Sequence, residues 1–454
     1  MADAGEGLTR QFAGVITGWK ADEPEVLEAC RQLLVDGLAV AVAGAGERGP
    51  AMAGALARDT PGVATVIGQS FSTAPVLAAR INGMSMHVLD YEPMWSPANH
   101  SLSPILPALL ALAQQMEAGG APPQGAAVLG ALAKGVEVQG RLRLASRQLE
   151  MRTMTLHPPG LVGPIAAACA CATLMGLDAD RMVHAIGIAA SRSCGLLANI
   201  GTMTKALHCG DAAAHGLEAA QLAQSGFTAD PDALGATRGW AATYFGDEFD
   251  PEHLTAPVVT PRVISPGPAW KLFPSQYPTH FAITAALELA NQPIAADQIA
   301  SIRVRTPLLP YTDRPAPRSG LDGKFSFQYC IAATLLDGKV GVSTFTDTRR
   351  FAADIEALLP RIQVLQTADI PARFDLMRVE IELETRHGDI LRASCESPPG
   401  SWSNPVAPGR LRDKAADAMR GRLPPAGIAA FWDMVGDARS LAVHPLMNLL
   451  QAQA

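Results

Sequence analysis

The chain has 454 residues, of which 48% are hydrophobic and only 17% are charged. This excess of apolar residues predicts a large buried core and excludes a disordered chain. The formal net charge of −7 argues against a nucleic-acid groove or a polybasic membrane surface. We therefore expect neither nucleic acid nor a membrane as a partner, and an anionic substrate would need locally arranged positive charge.

The N-terminal sequence MADAGEGLTRQFAG lacks a basic start followed by an apolar run. It predicts no secretory signal and a cytoplasmic location. The seven cysteines are odd in number and form no CxxC pair, which disfavours disulfides, structural zinc and an iron–sulfur cluster.

Up to about residue 255 the pattern predicts a succession of helices separated by short turns that contain Gly or Pro. SPILPALLALAQQMEAGG predicts a helix with Ser103 as its N-cap and Pro104 at its first position. The most apolar stretch, LVGPIAAACACATLMGL, is typical of a buried core helix rather than a membrane span. Asp178 and Asp211 are predicted to cap the two helices that follow it.

The character of the chain changes in the segment 257–274, whose five prolines predict an extended crossover. Beyond it the sequence predicts a helix near 280–291, a strand at ASIRVRTPLL, a helix near 326–336 and a hairpin around His387-Gly388-Asp389. Past the segment SPPGSWSNPVAPG the pattern becomes helical again.

The fold class expected from this order is mainly α with an α/β part. A large all-helical domain would be built from both chain ends, residues 1–265 and 396–454. A smaller α/β domain, residues 266–395, would be inserted into it.

Common catalytic motifs are missing from the sequence. No GxGxxG follows a strand, GTMTK is not a Walker loop, and there is no GxSxG or HExxH. The spacing Thr202-x-x-Lys205 is similar to the SxxK of acyl-enzymes, but the partner motifs of that class are absent.

A different pattern is that polar residues stand just upstream of predicted helix starts. A helix N-terminus offers free N–H groups and partial positive charge, so it favours an anion, and Lys or His strengthens that preference. If several such ends converge, they form a pocket for a small polycarboxylate. For any single residue a capping or packing role is the simpler interpretation, so only the joint pattern is informative. The residues are His100, His157, Lys205, His208 and Lys271.

Four long segments resemble blocks of the MmgE/PrpD family, in the expected order along the chain. They are HSLSPILPALLALA, GTMTKALHCGDAAAHGLEAAQLAQSGFTADPDALGATRGW, WKLFPSQYPTHFAITAALEL and FSFQYCIAATLLDGKVGVSTFTD. The resemblance implies a cofactor-independent lyase or isomerase with no metal. It also implies a large helical domain with a smaller α/β lid domain, and a homodimer.

The shorter segments GVEVQGRL, LHPPGLVG and SFQYC most resemble the cis-aconitate decarboxylase branch of the family, which loses CO₂ from cis-aconitate to give itaconate. The resemblance implies that two lysines hold substrate carboxylates and two histidines transfer protons. It further implies a hydrogen-bonding tyrosine and an orienting aspartate. The implied residues are Lys205, Lys271, His100, His157, Tyr329 and Asp90.

Departures from the family pattern concern the substrate. Where the family usually has Asp-Phe-Asp-Asp and then Thr or Ser, this chain has Asp90-Tyr91-Glu92-Pro93-Met94. The thioether of Met94 replaces a hydroxyl that would lie near a substrate carboxylate, a loss of roughly 1.5–3 kcal/mol. Gln276 stands where Cys or His is frequent, and His208 is a further substrate-binding candidate, although a capping role is the simpler one.

Several reactions on small di- or tricarboxylates remain open from the sequence. Decarboxylation of cis-aconitate is the favoured interpretation. Dehydration of 2-methylcitrate, epimerisation of an iminodisuccinate-like diacid and non-catalytic binding of a polycarboxylate are the alternatives. All three reactions develop negative charge next to a carboxylate, so the same fixed cations would serve each of them.

Overall fold

The computed structural model describes residues 7–150, 154–293, 295–437 and 440–452. The first half of the chain is helical apart from a pair of very short strands. Its elements are α1 (Leu8–Gly18), α2 (Pro24–Gly44), α3 (Arg48–Ala57), β1 (Ala64–Thr65), β2 (Ser72–Thr73), α4 (Pro75–His87), α5 (Leu102–Ala118), α6 (Gly125–Ala145), α7 (Pro158–Leu174), α8 (Ala179–Ala190), α9 (Thr204–Gln224), α10 (Trp240–Tyr244) and α11 (Glu252–Thr255).

Helix α7 lies at the centre of this helical part. It is apolar on every face and packs against α5, α6, α8 and α9, as expected for a fully buried helix. Helix α9 also crosses α4 closely at two glycines. A Cβ on Gly83 would lie 3.0 Å from Cα of Gly210, and a Cβ on Gly210 would lie 2.3 Å from the carbonyl oxygen of Arg80. Only glycines allow this approach, which brings the start of α9 against the end of α4.

The α/β part follows. Its elements are α12 (Tyr277–Ala290), β3 (Ile299–Pro307), α13 (Gly320–Gly323), α14 (Phe327–Asp337), α15 (Asp347–Arg350), α16 (Ala353–Leu358), β4 (Ile362–Thr367), β5 (Val379–Thr385) and β6 (Ile390–Cys395). The sheet order is β4-β3-β5-β6, with β3 parallel to β4 and antiparallel to β5, and with β5 and β6 forming a hairpin. Alternate side chains of β5 are buried, and α12 packs over β5 and β6.

The last helices, α17 (Pro408–Met419), α18 (Pro425–Met434) and α19 (Val443–Leu449), return to the helical part. Helix α17 packs on α2, and α19 packs on α5. One hydrophobic cluster joins these helices to the first half of the chain. A second cluster holds the α/β part together with Met94, Ala98 and Met154. The structure is therefore mainly α with an α/β part, whereas the domain limits at 265 and 395 and the lid function stay predictions.

The predicted elements can be compared with the observed ones. The β3 strand, the β5–β6 hairpin and the Asp178 cap are confirmed, since the Asp178 carboxylate accepts the backbone N–H of Arg181. The helix predicted to start after Ser103 begins two residues earlier, at Leu102, with Ser101 as its N-cap.

The Asp211 cap is wrong. Helix α9 begins at Thr204, so Lys205 and His208 lie in its first turns, and Asp211 instead pairs with Arg80 of α4 at 2.7 Å. Strand β4 was not predicted. None of the helices in the described residues combines the length and apolar character needed to cross a membrane.

Candidate active site

A small buried cavity lies where four long helices begin. His100 stands just before α5, His157 is the N-cap of α7, Lys205 is in the first turn of α9, and Gln276 is the N-cap of α12. All four side chains line the cavity. The other lining residues are Asp90, Met94, Ala98, Asn99, Pro158, Pro159, Ile200, Tyr277 and Phe374. The helix starts singled out in the sequence therefore meet around one space, which favours an anion there.

Asp90 is the hub of the polar network. Its backbone has φ of 51°, in the left-handed region that aspartate tolerates better than most residues. One carboxylate oxygen accepts a hydrogen bond from Lys205 Nζ at 2.7 Å, and the other accepts one from Lys271 Nζ. Burial alone would raise the pKa of Asp90, but the two ammonium groups outweigh it and hold the pKa well below its usual range. The carboxylate therefore stays ionised.

The network continues from Lys205 through His87 to Glu92. Lys205 Nζ lies 2.9 Å from His87 Nε2, and His87 Nδ1 lies 2.6 Å from Glu92 Oε1. Because an ammonium only donates, we assign the proton of His87 to Nδ1, which donates to Glu92. Glu92 also accepts the backbone N–H of Ser103 at 2.8 Å and the hydroxyl of Ser103. The result is an unbroken chain, Glu92–His87–Lys205–Asp90–Lys271, that fixes where the Lys205 ammonium points.

His100 and His157 flank this chain without strong hydrogen bonds to it. His100 Nε2 is 3.6 Å from Asp90 Oδ1, its ring lies edge-on to His87, and its buried Nδ1 has no partner among the described residues. His157 contacts His208, with 3.3 Å between their Nδ1 atoms.

Burial, followed by the charge of Lys205, holds the pKa of His157 well below its usual value. Burial does the same for the pKa of His100, despite the opposing effect of Asp90. Both imidazoles are therefore neutral near pH 7.

The other predicted site residues occupy different positions. Met94 and Gln276 line the cavity, and Gln276 Nε2 donates to the hydroxyl of Tyr311 at 2.7 Å. His208 lies behind His157 rather than on the cavity wall. Tyr329 is not brought to the site: its hydroxyl donates to the carbonyl of Thr344 and its ring packs on Phe345. Tyr329 therefore lies outside the site, whereas Tyr277 lines the cavity and Tyr311 is connected to it through Gln276.

His87, Glu92 and Tyr277 are the site residues that sequence reasoning missed. His87 lies at the end of α4, so a search of helix starts passed over it. The signal available was the spacing His87-x-x-Asp90-x-Glu92, three ionisable residues within an apolar stretch. Ionisable residues buried together in this way are candidates for a functional site.

His87, Glu92 and His100 also bring metal-binding atom types within 4.8 Å of one another. Three features disfavour a cation at this place. Glu92 already accepts hydrogen bonds from Ser103 and His87, and the Lys205 ammonium is 2.9 Å from the far nitrogen of His87. Lys271 adds a second positive charge across Asp90. Like charges this close repel strongly in a buried site, so the arrangement fits an anion better than a metal ion.

Comparison with known proteins agrees with this geometry. Residues 10–252 match the MmgE/PrpD N-terminal domain and residues 273–436 match the MmgE/PrpD C-terminal domain. The chain is 30% identical to the cis-aconitate decarboxylase of Mus musculus, over 90% of this chain and 86% of that protein. It is 31% identical to the cis-aconitate decarboxylase of Homo sapiens, over 77% and 74% of the two chains, and 25% identical to that of Aspergillus terreus, over 99% and 97%. The chain therefore belongs to the MmgE/PrpD family, on its cis-aconitate decarboxylase side, and is a lyase.

Proposed function

We propose that this lyase decarboxylates cis-aconitate to itaconate and CO₂. The observation that carries the proposal is the arrangement of Lys205 and Lys271 on the two oxygens of Asp90, beside two neutral histidines, at the start of four helices. The cis-aconitate decarboxylases among the relatives support the choice of substrate.

Substrate binding follows from charge. Lys205 lies on the cavity wall, and Lys271 is buried against Asp90, so two ammonium groups facing one carboxylate leave net positive charge beside the cavity, and the helix N-termini add to it. A tricarboxylate would place its carboxylates against Lys205, Lys271 and the N–H groups of these helices. Because a bound polyanion favours the charged form of a nearby imidazole, the pKa values of His100 and His157 rise on binding. We expect substrate binding to be coupled to proton uptake.

The reaction then consumes that proton. One carbon–carboxylate bond breaks, CO₂ leaves, and the electron pair is delocalised onto a remaining carboxylate as an enediolate-like species. Lys205 and Lys271 stabilise the developing charge in a site that excludes water. A protonated His100 or His157 delivers the proton to carbon and is reprotonated from solvent. Cis-aconitate trianion and one proton thus give itaconate dianion and CO₂.

The test is direct. Purified protein incubated with cis-aconitate and a metal chelator should yield equal amounts of itaconate and CO₂, measured by NMR and gas analysis, with one proton consumed per turnover. The variant Lys205→Met serves as the matched negative control. Absence of itaconate at high enzyme concentration rejects the decarboxylase. Light scattering tests the homodimer that we also propose from the family resemblance.

A hydro-lyase acting on 2-methylcitrate or a related hydroxy-tricarboxylate is the second candidate. The observation that favours it is Met94, whose buried thioether lines the cavity where the family resemblance places a hydroxyl. The same NMR assay, run on 2-methylcitrate, would show loss of water without CO₂. Exchange of an α-proton with deuterated water and no net reaction would instead indicate an epimerase.

A further inference from the structure

Two buried lysines that the proposed chemistry does not use hold the backbone on either side of Asp90. Lys324 Nζ donates to the carbonyl of Leu89 at 3.2 Å, and Lys414 Nζ donates to the carbonyl of Tyr91 at 2.8 Å. The two lysines are only 3% and 5% exposed. The carbonyl groups of the two residues that flank Asp90 in the sequence are therefore each bound by an ammonium.

The ammonium of Lys324 is buried in order to bind a single backbone carbonyl, which costs stability. Burial lowers its pKa to about 8, against the opposing influence of the more distant carboxylates of Glu47 and Asp90, and the acceptor at its Nζ is the Leu89 carbonyl. Its other contact is the ring of Phe345, 5.7 Å from Nζ. Burying an ammonium that contacts only a neutral carbonyl is unfavourable for stability, and a side chain of similar length without charge would pack in the same space. Stability alone does not explain a lysine here.

Lys414 reaches the same turn from the other side. It pairs with buried Asp36 of α2, with 2.7 Å between Nζ and Oδ1, and its Nζ lies 4.2 Å above the ring of Tyr91. The hydroxyl of Tyr91 donates in turn to the carbonyl of Leu272, next to Lys271. Helix α17 is thus tied through Lys414 to the backbone beside the hub.

Lys324 also connects the turn to the opposite side of the cavity. Its own carbonyl accepts the backbone N–H of Gln276 at 3.0 Å, at the start of α12. The cavity-lining end of the α/β part and the turn that carries Asp90 are therefore joined through one residue.

We propose that Lys324 and Lys414 are positioning residues that hold the turn Leu89–Asp90–Tyr91 so that Asp90 keeps Lys205 and Lys271 in place. The left-handed backbone of Asp90 is unfavourable for a residue with a Cβ and persists only where its surroundings impose it. With either flanking carbonyl released, the turn relaxes and the carboxylate swings away from the two ammonium groups. The inference rests on the proposed function for its kinetic readout.

The experiment compares Lys324→Met, the double variant Asp36→Asn/Lys414→Met and a matched control, Lys134→Met. The double variant avoids leaving a buried carboxylate unpaired. Lys134 is also a buried lysine that donates to a backbone carbonyl, that of Thr17 at 3.5 Å, but it lies in α6 away from the cavity.

We call Lys324→Met and the double variant the clamp variants, because the lysines they replace clamp the turn on either side of Asp90. We expect kcat to fall roughly tenfold or more in each of them, with a smaller change in KM, because small displacements of catalytic groups slow the reaction strongly. The control should keep the wild-type kcat.

A pH profile separates positioning from a general structural role. Lys271 faces Asp90, Lys205 and Glu92, and Asp90 is the largest influence that raises its pKa. If Asp90 moves away, the pKa of Lys271 falls further, so the decline of kcat/KM at alkaline pH should begin at lower pH in both clamp variants. Folded clamp variants with unchanged kcat and an unchanged alkaline decline would overturn the proposal.

Failure of the proposed function is recognised separately, as a wild-type enzyme that makes no itaconate. In that event crystal structures of the clamp variants decide. A turn that keeps the left-handed backbone of Asp90 and both of its ammonium contacts in Lys324→Met and in the double variant rejects the clamp. A displaced Asp90 carboxylate supports it.

Discussion

The two sides of the cavity differ in the charge of the polar groups that they present. On the side formed by the helical part, Asp90 and Lys205 belong to a continuous hydrogen-bonded chain. On the side formed by the α/β part, Gln276 Oε1 and the hydroxyl of Tyr277 are buried without a partner among the described residues. The ionised groups of the first side hold one another in place, whereas the second side offers neutral polar atoms that a ligand can satisfy. We infer that the first side carries the chemistry and that the second side selects the substrate. We call the first the paired side, because its ionised groups pair with one another, and the second the selecting side.

The largest effect should come from breaking the paired side at Lys205. Lys205→Met removes a cation that holds both substrate and developing charge, and it takes away the hydrogen-bond partner of His87 Nε2 and of one carboxylate oxygen of Asp90. We expect kcat to fall about 10³-fold, as when a key electrostatic donor is removed from an active site. Steady-state kinetics measures the loss, with circular dichroism to verify folding and Lys134→Met as the control. Near-normal turnover would mean that the paired side is not where the chemistry occurs.

The next effect concerns proton transfer by the flanking histidines. His157→Gln keeps a polar side chain but cannot become a cationic acid, so we expect kcat to fall about 10²-fold or more. His253→Gln, at a half-exposed histidine far from the cavity, is the control. Isothermal titration of the wild type with a non-reacting tricarboxylate in buffers of different ionisation enthalpy should also show proton uptake. If proton uptake is absent and His157→Gln is fully active, the histidine assignment is wrong.

A smaller effect tests the charge of Lys271 through pH. Burial lowers the pKa of Lys271 to about 8, against the opposing influence of Asp90. With a pKa lowered to about 8, Lys271 is mostly protonated below pH 8 and loses its charge as the pH rises above it. We therefore expect kcat/KM to decline by about tenfold per pH unit above about pH 8, in addition to any decline caused by other groups. Lys271→Arg keeps its charge, since arginine stays protonated, and should move this decline to higher pH.

The pKa of Lys324 is also about 8, so the Lys271→Arg variant is needed to identify which of the two lysines causes the decline above pH 8. A decline above pH 8 that is unchanged in Lys271→Arg would point to Lys324 instead. A profile that shows no additional decline up to pH 9.5 would contradict both assignments.

The sequence predicted the paired side better than the network within it. Asp90, His100, His157 and Lys205 meet because three helix starts surround the turn after α4, although the local signals misplaced the starts of α5 and α9. The link from Lys205 through His87 to Glu92 could not be predicted in the same way. It depends on the close crossing of α4 and α9, two helices that are more than a hundred residues apart in the sequence.

Long-range contacts also explain the elements that were misplaced. Asp211 has the local character of a helix cap, but its partner is Arg80, 131 residues away, and the helix begins earlier. Strand β4 has the sequence IQVLQT, with weak alternation of apolar residues, and its parallel partner β3 is distant in the sequence, across a crossover connection. Tyr329 has a residue type that suits a site, yet its hydroxyl is used within the α/β core.

The smallest expected effect lies on the selecting side, at Met94. This residue packs in the hydrophobic cluster of the α/β part and lines the cavity with a thioether. Met94→Thr introduces a hydroxyl that can donate to a substrate carboxylate, a contact worth about 1.5 kcal/mol or roughly tenfold in affinity. We expect KM for cis-aconitate to fall by that factor while kcat changes little, because the catalytic groups on the paired side are untouched. Met94→Leu, which alters shape without adding a donor, is the control. A large change in kcat in Met94→Thr would show that binding and chemistry are not divided between the two sides as we infer.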